Sequence, residues 1–267
     1  MAAPHRLDCA PLRWQRLPAM VSDGPANMAI DDAMAMHARG SGSALWRVYG
    51  WAQPVLSLGR HQRAAGLYDL DSARERGIAI VRRPTGGRAV LHAREITYCV
   101  AAPEFAMGSL MQAYRIINEL LVDALRKLGV PAAIASPASP PPRPVAGACF
   151  EEPVAGEIVA GGRKLVGSAQ WRSEGALLQH GSILIDDDQH LANDLLLAPG
   201  PPPPRAATLR ALLGRAPELD EFDHALAGAA ANRFGSVPDC VAFDGELIAL
   251  TEARRAHYAS DGWTWRR

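Results

Sequence analysis

Apolar and polar positions follow two rhythms along the chain. Up to about residue 186 most apolar runs are short and bounded by Gly, Pro, Asp or Ser, the signature of strands. Leu12, Trp14 and Arg16 alternate with Arg13, Gln15 and Leu17. Ala44 to Tyr49, Val55 to Leu58, Ile78 to Val81, Val90-Leu91, Ile96 to Val100 and Gly175 to Asp186 read as further strands. Glu157 to Ala160 and Arg163 to Val166 flank Gly161-Gly162 and predict a β-hairpin on a two-glycine turn. The helical rhythm comes first at Asp23-Gly24-Pro25, with Asp23 or Ser22 as cap and Pro25 in the first turn. Met28, Ala29, Ala33, Met36 and His37 follow at helical spacing until Gly40. Asp71 to Arg76 predicts a short helix ending at Gly77. Leu110 to Leu128 carries one apolar stripe through Tyr114, Ile117, Leu121 and Leu125, suited to covering a sheet, and Gly129 ends it.

Two proline-rich stretches punctuate this order. Ser136 to Pro144 is neither helix nor central strand. Gly200 to Pro204 is the expected domain boundary, giving 12–199 as the main domain and 205–267 as a small helical C-terminal extension. In that extension Ala206 to Leu213, Phe222 to Arg233 and Gly245 to Tyr258 read as helices. Strands without strict βα alternation, followed by helices, predict an α+β fold: a mixed or antiparallel sheet with helices packed on it.

The bulk numbers narrow the function classes. The 267 residues hold 28 Lys plus Arg and 28 Asp plus Glu, so no basic excess argues for nucleic acid as a partner. No apolar run reaches bilayer length, and Met1 to Ala10 has no signal-peptide apolar core, so no membrane partner is expected. Cys9, Cys99, Cys149 and Cys240 are widely spaced without a CxxC pair, which argues against a zinc site or a disulfide framework. A reducing cytoplasm is the expected location. Asp186-Asp187-Asp188 sits at a strand end and reads as a solvated turn, so no metal site is expected.

The chemistry gathers around Arg82-Arg83-Pro84-Thr85-Gly86-Gly87-Arg88-Ala89-Val90-Leu91-His92. The layout is strand, glycine turn, strand, with arginines on both sides and a histidine at the end. By residue chemistry this is either a hairpin turn with surface arginines or a backbone cradle for an anionic or polarised oxygen. The motif Arg82-Arg83-x-x-Gly86-Gly87-Arg88-x-Val90-x-His92 resembles the signature of the lipoate ligase and octanoyltransferase family. Three more blocks are similar in the same order: Asn27 to Asp32, Pro54 to Gln62, and Gly162 to Gln170. The family's fold is a biotin/lipoate protein ligase-like catalytic domain, in agreement with the α+β reading. The resemblance implies substrate contacts from Arg82, Arg83, Thr85, Gly86, Gly87, Arg88, His92, Gly167, Ser168 and Ala169.

Cys149 follows a run of small residues and precedes Phe150-Glu151. A free cysteine is most often a small buried hydrophobe, a reading that fits Cys99 in its strand. Ala148-Cys149-Phe150-Glu151 resembles the setting of the nucleophile in the octanoyltransferase branch, and Gly162-Arg163-Lys164 resembles the block of the family's active-site lysine. Lys164 is otherwise a solvated hairpin lysine, and His92 a satisfied core histidine. His180 lies in a block that is also similar to the family, without an assigned chemistry.

The resemblance implies acyl transfer. Cys149 takes an octanoyl group from acyl carrier protein as a thioester, and a lysine of a lipoyl domain or of the glycine-cleavage H protein receives it as an amide. Lys164 beside Cys149 would raise the thiolate fraction and hold the acyl oxygen. This route uses no cofactor. The alternative is an ATP-dependent lipoate-protein ligase acting through lipoyl-adenylate, with ATP and magnesium. Against it stand Cys149, and Arg88 where such ligases usually carry a third glycine. A lipoyl or octanoyl amidotransferase through the same cysteine and a non-catalytic acyl-protein-binding module complete the readings.

Overall fold

A computed structural model describes residues 12–136 and 155–267. Its strands are β1 (Trp14–Arg16), β2 (Met20–Ser22), β3 (Ala44–Trp51), β4 (Val55–Leu58), β5 (Ala79–Arg82), β6 (Val90–His92), β7 (Glu95–Pro103), β8 (Ala132–Ile134), β9 (Ile158–Ala160), β10 (Arg163–Ser173), β11 (Ala176–Leu184) and β12 (Asp239–Cys240). Its helices are α1 (Gly24–Ser41), α2 (Leu70–Glu75), α3 (Leu110–Lys127), α4 (His190–Asp194), α5 (Leu209–Leu213), α6 (Leu219–Phe234), α7 (Gly245–Tyr258) and α8 (Asp261–Thr264).

The large sheet runs β12-β1-β3-β7-β11-β10-β9-β8, with β2 also on β3, and the small sheet runs β5-β4-β6. β3, β7, β11 and β10 pair antiparallel in sequence, whereas β1, β2 and β12 join in parallel, so the sheet is mixed as expected. Every residue of β7 and β11 is buried, because helices or the small sheet cover both faces. Alternation along β7 sends Ile96, Tyr98 and Val100 to the core under α3 and α6. Cys99 and Ala101 turn to the opposite face, against α1.

Local signals explain the elements. Asp23 caps α1 by accepting from Ala26 N at 2.8 Å, and Pro25 sits in its first turn. The helix passes Gly40 and stops at Gly42, whose φ of +72° is the left-handed cap that glycine supplies readily. Ser109 and Gln112 form a reciprocal capping box on α3. β9 and β10 form the expected hairpin, with positive φ at both Gly161 and Gly162.

Other expectations are corrected. Within the helical extension Cys240 belongs to a short strand on β1 that was not foreseen, and Val241 N donates to Arg16 O and extends the pairing. β8 and α4 were not foreseen. The aspartate turn is ion-paired: Asp186 holds Arg210 at 2.9 Å and Asp188 lies 3.4 Å from Arg94. Beyond Pro204, Leu209, Phe222 and Leu226 join the same apolar core as β3 and α3, and α7 packs along α1.

Candidate active site

β5 and β6, which flank the glycine turn, are not neighbours. β4 lies between them, parallel to β5 and antiparallel to β6. Residues 83–89 therefore arch over the end of β4, and the turn is a loop instead of a hairpin tip. Close approach makes this possible. A Cβ on Gly59 would stand 1.9 Å from Gly87 O, so only glycine lets β4 pass under the loop.

The two arginines hold that arch from different sides. Arg83 Nη2 donates to Gly86 O and Arg88 O at 2.7 Å each, while Nη1 donates to Ser57 O at 2.9 Å. Arg82 is fully buried and donates to Gly59 O, Gln62 O and Thr264 O. It braces the loop from behind and ties it to α8.

Two carboxylate–imidazole–hydroxyl chains converge under the loop. In the first, Asp31 on α1 meets His180 Nδ1 at 2.7 Å, and His180 Nε2 meets Thr85 Oγ1 at 2.6 Å. Arg47 clamps Asp31 from the other side at 2.7 Å, and Tyr49 O–H donates to it. Burial opposes the Asp31 charge, but Arg47 and His180 more than offset it and hold the carboxyl below its usual range. Burial, with Arg83 and His92 nearby, keeps the His180 pKa below its ordinary value despite Asp31. The imidazole is then neutral, with its proton on Nδ1 facing Asp31, and Thr85 donates to Nε2.

In the second chain His92 Nδ1 meets Glu95 Oε1 and His92 Nε2 meets Ser57 Oγ, both at 2.7 Å. Thr97 and Ser182 hydroxyls donate to the same Glu95 oxygen. Trp51 stacks on the His92 ring at 4.2 Å. His92 is thus a buried, satisfied histidine that also faces the cavity.

That cavity has about 450 Å³ of empty space including its open mouth. Its walls include Arg83, Gly87 and His92 from the central stretch and Gly167, Ser168 and Ala169 from β10, joined by Met28 and Trp51. The structure so brings together six of the expected site residues. Arg82, Thr85, Gly86 and Arg88 support or extend the loop around it.

Lys164 is the second residue of β10, and its ammonium meets Glu157 at 2.6 Å with both side chains nearly buried. It is an ion-paired interior lysine, unlike a solvated hairpin lysine. Cys149 lies outside the described residues. Sequence reasoning did not single out Asp31, Arg47, Ser57, Glu95 or Glu157. Asp31 and Ser57 lay within the blocks of resemblance, which was the available signal. Among the described residues no cluster of His, Cys, Asp and Glu could hold a metal ion, and no helix is long and apolar enough to cross a membrane.

A cavity walled by the glycine loop and β10 marks the candidate site, and the comparisons name the class of protein that carries it. The lipoyl protein ligase A/B catalytic domain matches residues 23–231. Octanoyltransferase LipM of Kyrpidia tusciae is 38% identical, covering 95% of this chain and 99% of its own length. Octanoyltransferase LipM of Symbiobacterium thermophilum is also 38% identical, covering 95% and 98%. Among solved structures, lipoate-protein ligase A bound with ATP superposes with a TM-score of 0.78 at 22% identity, covering 95% of this chain and 99% of that one. The chain belongs to the lipoyl protein ligase A/B catalytic-domain family. The fold expected from the sequence is therefore the one observed.

Proposed function

We propose that the protein is an octanoyltransferase of lipoate assembly. The observation that carries this reading is the end-to-end similarity to the LipM octanoyltransferases. The cavity is compatible with an acyl tail. At about 0.8 kcal/mol per buried methylene, seven carbons beyond the carbonyl would contribute on the order of 5 kcal/mol of binding.

Cys149 is the nucleophile. Its thiolate attacks the thioester carbonyl of an octanoyl group on acyl carrier protein, the carrier thiol leaves with a proton, and an octanoyl-Cys149 thioester remains. The neutral amine of an acceptor lysine then attacks that carbonyl, the C–S bond breaks, the Cys149 sulfur leaves with the proton the amine gives up, and an amide forms. The lysine belongs to a lipoyl domain or the glycine-cleavage H protein. A thioester intermediate keeps the donor's reactivity, so neither ATP nor a metal is required.

Lys164 Nζ faces the developing oxyanion, where one well-placed donor is worth about 3 kcal/mol. Backbone N–H groups at Gly86-Gly87 are further candidates for that oxygen. Arg83 sets the loop's shape. His92, Gly167, Ser168 and Ala169 hold the acyl chain. These roles suit a reducing cytoplasm, where a free thiolate persists.

The test is intact-mass spectrometry of the protein with octanoyl-acyl carrier protein and no ATP. Wild type gains one octanoyl group and passes it to a lipoyl-domain lysine, while Cys149→Ala gains none. Transfer of free lipoate that appears only with ATP and magnesium would make the protein a ligase instead.

A further inference from the structure

The formal charge of the chain is balanced, yet the cations are unevenly placed. Outside the central loop lies a second cleft of about 880 Å³, counting its open side, walled by Arg60, Pro84, Trp171, Arg254, His257 and Trp263. It adjoins the acyl cavity through one loop and one strand. Pro84 lines the cleft while Arg83 and Gly87 line the cavity. On β10, Ala169 lines the cavity and Trp171 the cleft, one strand repeat of about 7 Å further on.

The acids of this cleft are already committed. Asp32 pairs with Arg254 at 2.6 Å, and Glu174 with Arg39 at 3.1 Å. Arg60, His61, Arg266 and Arg267 make no ion pair among the described residues. Instead they crowd one another. Arg266 donates to Arg60 O at 2.6 Å, and Ala64 N and Ala65 N donate to Arg267 O. Besides desolvation, Arg60 and Arg267 push the Arg266 pKa down, the mark of uncompensated like charge. Aromatic rings fix the guanidinium groups in place. Arg266 lies 4.0 Å over the Trp263 ring, and Arg60 stands 5.7 Å from Trp263 and 5.9 Å from Trp171. Arg60 is also tied to the loop, through its N–H to Thr85 O at 2.8 Å.

Such a cluster costs self-repulsion, no carboxylate among the described residues neutralises it, and its exposed charge is directed outward. We propose that Arg60, Arg266 and Arg267 form the docking surface for an acidic carrier protein that delivers the acyl group on a phosphate-linked arm. The inference rests on the octanoyltransferase reading and says where its donor lands. Charge decides between the two macromolecules that reaction needs. The acceptor's reacting group is a lysine amine, neutral when it attacks, which a cationic rim does not draw in. The donor presents a phosphate and an acidic surface, both of which it attracts. A preorganised cationic rim beside the cavity raises the encounter rate with such a partner, and salt screens the gain.

The test compares Arg266→Glu/Arg267→Glu with wild type in forming the octanoyl-enzyme from two donors. One is octanoyl-acyl carrier protein and the other octanoyl-N-acetylcysteamine, an uncharged small thioester. The expected result is a drop of about tenfold or more in kcat/KM for the protein donor at low ionic strength. The gap closes as salt rises, the small donor reacts at the wild-type rate, and Arg266→Lys/Arg267→Lys restores the protein donor. Equal rates with both donors at low salt would overturn the proposal, as would an equal loss with both. A loss confined to transfer from octanoyl-enzyme to lipoyl domain would also overturn it, by giving the surface to the acceptor. Failure of the wild type to acylate from either donor would instead reject the octanoyltransferase reading.

Discussion

The two faces of the large sheet solve different problems with the same strands. Toward α3 and α6, Val48, Tyr98, Val100, Ile117, Leu121, Leu125 and Phe222 pack as one apolar core. Toward α1 and the small sheet, the same strands present Arg47, Tyr49, Thr97, His180 and Ser182. The first face is held by burial, which is non-directional and spread over many side chains. The second adds, to a smaller apolar cluster around Ile30, Met34, Leu45 and Leu178, directed hydrogen bonds between a few buried charges, each partner making the next one tolerable. Damage to the apolar face should therefore scale with the volume removed. Damage to the polar face should depend on which charge is left alone, and should reach the cavity.

The sharpest break is Arg47→Met. It leaves the Asp31 charge buried with no cation beside it, facing His180, Tyr49 and Cys99, and should cost about 3–5 kcal/mol in chemical denaturation. Adding Asp31→Asn should recover part of that loss. A cost below 1 kcal/mol would show that the polar face is not held by this pair. Leu121→Ala on the opposite face should cost about 2–5 kcal/mol. Octanoyl-enzyme formation in the folded fraction should be unchanged.

Gly59→Ala tests the arch itself. Its Cβ would collide with Gly87 O, so the loop must lift. Octanoyl-enzyme formation should slow by about a hundredfold, as for other displaced sites. Far-UV circular dichroism should remain that of wild type. A wild-type rate would mean that the loop's closeness to β4 does not matter to the reaction.

A smaller effect separates the faces by pH. The His180 pKa is depressed in the fold below its ordinary value of 6.5, so the unfolded chain binds more protons as pH falls below that value. The stabilisation is complete above pH 6.5 and is lost as pH falls through the folded pKa. His180→Gln should flatten this acid-side slope in thermal melts, leaving the part due to His61 and His257, which are also depressed. An unchanged slope would remove His180 from the account. Smallest of all, Ser109→Ala should cost about 1 kcal/mol by removing the α3 cap, without altering activity.

The apolar face was legible in the sequence. The stripe of α3 and its glycine stop, the Gly161-Gly162 hairpin and the strand runs all rest on short-range rules. The polar face was legible only in part. His92, Gly87 and Gly167 to Ala169 were placed through resemblance, and the cavity brings them together. Asp31 and Arg47 gave no local signal, because a charged residue in a helix or strand reads as solvent-facing until its partner is known. Gly40 looked like a helix stop, although the left-handed turn falls at Gly42. The glycine turn read as a hairpin or a backbone cradle, because nothing local announces that β4, about thirty residues earlier, slips between its two strands.

By itself the sequence determined the kinds of element, the mixed α+β class, the family blocks, and the candidate pair Cys149 and Lys164. The elements and the class depend on periodicity, turn chemistry and residue type, which act over a few positions, while the blocks and the Cys149–Lys164 pair were carried by the family resemblance. Only the tertiary structure decided that Lys164 is paired with Glu157, that Arg82 braces while Arg83 faces the cavity, and that Arg60 meets Arg266 and Arg267. Those outcomes depend on which charges a fold brings within a few ångströms across more than two hundred residues in some cases, and no local pattern carries that information.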